Sequence, residues 1–123
     1  MPNEKRLNTV IDYIKSHLDE WYQANISTMT EYKTMYCFAG FGIQMFGTNN
    51  EKRMLHLNTL PRDEFTKSDR QFWIANGGPC MGGVLCFSAA QRIFGINKDE
   101  AFHLFKTQNT LEDLERIVDE ITQ

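Results

Sequence analysis

Leu7, Val10, Ile11, Ile14, Leu18 and Trp21 recur three and four residues apart, the spacing that lines side chains along one face of an α-helix. Asp12, Lys15, Asp19 and Glu20 fall mainly on other faces. Asn3 is placed to cap this helix, and Pro2 discourages its extension backwards. A helix with so continuous a stripe must bury it, and the natural partners are other helices of the same kind. The stripe, Trp21 included, therefore reads as core packing. The sequence closes on a second such element. Thr110 followed by Asp113 opens it, and Leu111, Leu114, Ile117, Val118 and Ile121 form its apolar face.

Between these two, the segment from Tyr36 to Gly47 is apolar nearly all round, which fits a buried helix ending at Gly47 or a buried strand; periodicity does not separate the two, and the helix is favoured. Ala39, Gly40 and Gly42 would let another element approach closely. Residues 23–35 are polar and read as an irregular connector, and residues 47–50 as a turn. An extended piece is expected near residues 52–58. Ser68 with Gln71 has capping-box form and suggests a short helix carrying Phe72, Trp73 and Ile74, stopped by Gly77, Gly78 and Pro79. Val84 to Phe94 suits a central helix with Gly95 just past its end. Asn97 and Glu100 would then open a helix whose apolar face is Ala101, Phe102, Leu104 and Phe105. Cys37-Phe38-Ala39-Gly40 and Cys86-Phe87-Ser88-Ala89 echo each other, as two buried helices drawing on the same residues would.

The expected fold is mainly α: one compact domain over residues 1–123, a bundle of about five or six helices with short extended segments in the middle. At 123 residues the chain can bury a sizeable core but not two independent ones. No apolar run approaches a membrane span and the opening MPNEKR lacks the apolar stretch of a signal peptide, so no membrane partner is expected. Three cysteines do not make a disulfide framework, which together with the missing leader places the protein in the cytoplasm. The formal charge of −3 argues against general nucleic-acid binding.

Several of these residues also occur in a recognisable order. Trp21, then Thr34-Met35-Tyr36-Cys37-Phe38-Ala39-Gly40, then Ala89-Ala90-Gln91-Arg92-Ile93-Phe94-Gly95-Ile96, then Glu100-Ala101, Leu104-Phe105 and Asn109 to Leu114 follow one another. This order resembles a family of small proteins common in bacteriophages and bacteria, marked by a Cys-x-Ala-Gly segment, a Leu-Gly-Leu turn and a Glu-Ala-x-x-Leu-Phe helix. Tyr32 and Lys33 stand where that family often has its first cysteine and a glycine. The resemblance implies a helical fold and a phage or mobile-element origin, and no mechanism.

Chemistry is suggested in two places. Gly77-Gly78-Pro79-Cys80-Met81-Gly82-Gly83 leads into a helix, where flexible backbone, free N–H groups and the helix dipole favour an anion. The run matches no Walker or dinucleotide fingerprint, and a plain turn is the favoured explanation, since glycine-rich loops usually serve geometry. The second place is the basic middle, Lys52, Arg53, His56, Arg62, Lys67 and Arg70, where Arg53, Arg62 or Arg70 could grip phosphate while Phe72 or Trp73 stacks on a base. The candidate ligand-binding residues are thus Arg53, Arg62, Arg70, Trp73, Gly78, Cys80, Gly82 and Gly83. Cys37, Cys80 and Cys86 lack close zinc-ligand spacing, so neither a metal nor another cofactor is expected.

The leading expectation is a non-catalytic binding protein that sequesters a small anionic, nucleotide-like ligand in host-defence antagonism. Two other readings stay open. One is an interaction module that inhibits a host protein through the acidic last helix, with Glu112, Glu115 and Asp119. The other is a small enzyme using Cys80 as nucleophile with His56 or His103 as base. No heptad run forces a coiled coil, and a homodimer is compatible with each reading.

Overall fold

In the computed structural model, which describes residues 2–23, 27–29, 34–76 and 82–123, the first helix α1 spans Glu4–Ser16. The Asn3 side chain caps it by accepting from Arg6 N, and Leu7, Val10, Ile11 and Ile14 are buried. The helix stops earlier than its stripe predicts. His17 leaves helical dihedrals (φ −137°, ψ 50°), a single 3-10 turn follows over Leu18–Glu20, and Leu18 is left 55% exposed. Trp21 is half-buried against the core from outside the helix.

The expected connector contains a small hairpin. Strands β1 (Ser27–Met29) and β2 (Thr34–Tyr36) pair antiparallel, with Ser27 opposite Tyr36 and Met29 opposite Thr34. Three-residue strands are too short to show alternation, so the sequence carries no sign of them. Helix α2 (Phe38–Phe46) follows, ending at Gly47 as its apolar pattern predicts.

The stretch expected to be extended, residues 52–58, is helix and its C-cap: α3 spans Asn49–Leu57, is followed by Asn58 as cap, and buries Met54, Leu55 and Leu57. Thr48 and Glu51 form a reciprocal capping box, so Asn49 and Asn50 begin a helix instead of a turn. A 3-10 turn at Arg62–Glu64 leads into α4 (Lys67–Ala75). Its cap is Thr66 with Asp69, two residues before the Ser68 and Gln71 pair of the same form.

Helix α5 spans Gly82–Phe94. Gly95 adopts φ 64°; its N–H donates to Arg92 O and that of Ile96 to Gln91 O, closing the helix in a Schellman motif. The Asn97–Glu100 box opens α6 (Lys98–Leu104) as expected, although Phe102 points outward and is 66% exposed. The Thr110–Asp113 box opens α7 (Leu111–Thr122), which buries Leu114, Ile117 and Val118.

The seven α-helices of the described residues share one continuous core. Its centre is the packing of α2 on α5, where the Phe38 and Phe94 rings lie 5.2 Å apart. Gly42 makes this possible, since a Cβ there would come within 2.4 Å of the Phe94 ring. The first helix closes over the same region: Asn3 N and an Arg6 guanidinium nitrogen donate to Phe94 O and Ile93 O at the end of α5. Among the described residues no helix is long and apolar enough to cross a membrane.

Candidate functional site

The turn at Arg62–Glu64 and the following helix α4 bring together three of the residues expected to bind a ligand. Arg70, Trp73 and Ile74 are three and four residues apart and so share one face of α4. With Arg62, Asp63 and Phe65 they line a cavity of about 440 Å³, in the range of small-molecule sites. The Thr66–Asp69 box fixes where α4 begins and therefore which of its residues face the turn.

The surface of the cavity is almost wholly apolar, and three charged residues, Arg62, Asp63 and Arg70, border it. Phe65 is buried and meets Trp73 edge-on, with ring centroids 5.7 Å apart at 77°. The Arg62 guanidinium carbon stands 5.4 Å from the Trp73 ring centroid, within cation–π range. Trp73 is only 5% exposed, and its buried indole Nε1–H finds no acceptor among the described residues. Arg62 and Arg70 are exposed, and among the described residues neither is paired with a carboxylate. Asp63 contributes one negative charge to the same wall.

Arg53 is drawn elsewhere. Its guanidinium pairs with Asp69 at 3.2 Å, reaches Ser68 Oγ at 3.3 Å, and lies 4.2 Å from the Phe72 ring centroid. It joins α3 to α4 and is not part of the cavity wall. Thus Phe72 and Trp73 each already carry a guanidinium over the ring, and neither is a bare stacking platform. The planar surface offered to a ligand is that of the arginines, which themselves stack on aromatic bases.

Gly82 and Gly83 are the first two residues of α5, whereas Gly78 and Cys80 lie outside the described residues. His56 and His103 are exposed on α3 and α6. Cys37 is buried beside the start of α2, and burial pushes its thiol up to about 11, so it packs as a small hydrophobe. The acidic last helix is partly neutralised: Glu115 pairs with Lys15, and Arg116 sits between Asp113 and Glu120. Sequence reasoning missed Asp63, Phe65 and Ile74. The one available signal was their proximity to Arg62 and Trp73, which identifies neighbours but not a shared wall.

The fold and this cavity define a small helical protein with an arginine-rimmed, aromatic-floored pocket. Compared with protein-family models, with curated proteins and with solved structures, the chain finds no match in any of the three.

Proposed function

We propose that the chain is a non-catalytic binding protein that sequesters a small anionic, nucleotide-like ligand in the cavity of Arg62, Arg70 and Trp73. The observation that carries this reading is the convergence on one cavity of about 440 Å³ of an aromatic floor and two arginines that have no carboxylate partner among the described residues. The arginines supply charge-assisted hydrogen bonds to a phosphate. The stack of Arg62 on Trp73 offers a planar surface to a base, and Phe65 and Ile74 supply apolar contact. The host-defence setting, in which such a protein would remove a nucleotide signal, rests on the resemblance to phage proteins.

Calorimetric titration with a panel of mononucleotides, dinucleotides and cyclic dinucleotides tests the reading. Arg62→Ala and Arg70→Ala are each expected to weaken the responding ligand about tenfold or more, as loss of a charged hydrogen bond does. Arg53→Ala should leave affinity within about threefold, because that side chain serves the α3–α4 contact. If no member of the panel binds at millimolar concentration, or the Arg62 and Arg70 variants bind as well as the parent, the reading falls.

A further inference from the structure

A second cavity, of about 590 Å³, lies beside the hairpin and has the opposite chemistry. Tyr13, Asp19, Glu20, Tyr36, Phe41, Gln44 and Met45 line it. Three of its lining residues are aromatic: Tyr13 and Tyr36 are partly exposed, and Phe41 is almost fully buried. Phe41 stands between Tyr13 and Tyr36, with centroids 5.3 Å from each and rings tilted at 54° and 57°. Rings at such angles do not lie in one plane; they make a curved wall. Tyr13 is held on its other side by His17, stacked at 4.0 Å and 9°. The Tyr13 hydroxyl donates to Glu20 Oε1 at 2.8 Å and holds this lining carboxylate in place. Among the described residues Glu20 has no cationic partner.

The geometry points to this cavity as a binding site for a small alkylammonium ion, of the quaternary kind. Aromatic rings attract a cation through their quadrupoles, most strongly when the cation is large and weakly hydrated. The Asp19 and Glu20 carboxylates in the lining add charge complementarity. The other cation classes fit less well. Among the described residues no group of three or more His, Cys, Asp or Glu could hold a metal ion. A guanidinium brings five N–H donors to satisfy, and the rings and Met45 that make up most of the lining residues offer it few acceptors. A quaternary ammonium has no donor to satisfy, so rings and the Met45 thioether complete its surroundings at no hydrogen-bonding cost.

The test is a titration of the full chain with choline and, separately, with 3,3-dimethylbutan-1-ol, its uncharged isostere. Proton NMR follows the methyl resonance of each. Choline is expected to bind with its methyl signal moved upfield by the ring currents, and about tenfold more tightly than the isostere. Glu20→Gln should weaken choline several-fold and leave the isostere unaffected. Arg62→Ala should leave choline binding unchanged, which separates this site from the anion cavity. Equal binding of the two ligands, or no shift of choline at tens of millimolar, would overturn the proposal. Unchanged choline affinity in a folded Glu20→Gln protein would overturn it too. Should that variant fail to fold, judged by circular dichroism, the comparison of choline with its isostere on the parent chain decides alone.

Discussion

Gln23 is the one polar side chain among the described residues that the core encloses, and all of its amide is used. Its oxygen accepts from the Trp21 indole N–H at 3.0 Å and from Phe38 N at 3.1 Å. Its nitrogen donates to Leu104 O at 3.3 Å and Lys106 O at 3.0 Å. One residue thus ties the approach to the hairpin, the start of α2 and the end of α6. Replacing it by Leu would keep the volume but leave the Phe38 N–H and the Trp21 indole N–H without their partner, while Leu104 O and Lys106 O keep the bonds they accept from Asn109. Gln23→Leu is expected to lose roughly 1–3 kcal/mol in urea unfolding, the cost of leaving the buried Phe38 donor and the half-buried Trp21 donor unmade. A loss below about 0.5 kcal/mol would mean that water reaches these groups. Nothing in the sequence marks Gln23, because it opens a polar stretch in which a connector is the natural reading. Phe102 shows the reverse: its spacing with Ala101 and Leu104 fits a buried face, yet it stands exposed with Lys106 Nζ 5.0 Å from its ring centroid.

The helices are delimited by reciprocal caps more than by their apolar patterns. Four boxes recur: Thr48 with Glu51, Thr66 with Asp69, Asn97 with Glu100, and Thr110 with Asp113. The last two were legible because each stands just before an apolar stripe. Thr48 was hidden in a Gly-Thr-Asn-Asn run that also has turn composition, so α3 went unseen. At α4 the sequence points to a box of Ser68 with Gln71, and the helix starts two residues earlier, at the box of Thr66 with Asp69. Thr66 Oγ1 accepts from Asp69 N, whereas Ser68 lies inside the helix and its hydroxyl accepts from Arg53. Thr66→Ala should therefore destabilise by about 1 kcal/mol, and Ser68→Ala by less than about 0.5 kcal/mol. Paired thermal and urea melts check this, and equal losses would contradict the assigned helix start. The same start places Arg70 and Trp73 on the cavity wall, so the candidate anion site was legible as residue types but not as geometry.

Across the whole molecule the ionisable groups bias stability in two directions, and together they predict a bounded pH range. Backbone N–H groups at the caps, donated by Thr66 and Thr110, hold Asp69 and Asp113 below the ordinary carboxylate range, with Arg53 and Arg116 assisting. Glu51 is raised somewhat by its partial burial, but the Thr48 N–H and the Arg92 ion pair outweigh this and lower it. A carboxyl depressed in the folded state stabilises above its unfolded value, about 4, and that contribution disappears as pH falls through the folded value. On the alkaline side the buried groups act oppositely. Burial pushes Cys37 up to about 11, the hydrogen bond to Glu20 raises Tyr13, and burial raises Tyr36. Groups raised in this way stabilise fully below their unfolded values, and the benefit is lost as pH rises through the folded ones. Unfolding free energy should accordingly be flat from about pH 5 to 8, fall below about pH 4, and fall again above about pH 9. The alkaline limb has its own control. An unfolded thiol ionises near 8.5 while buried Cys37 stays neutral to about 11, a difference worth roughly 3 kcal/mol across that interval. Cys37→Ala lowers stability at neutral pH by leaving a small void, yet its free energy should decline less steeply between pH 8.5 and 11. Parallel limbs in parent and variant would show that the thiol ionises in place, and that the junction of β2 and α2 opens to solvent more readily than its packing implies.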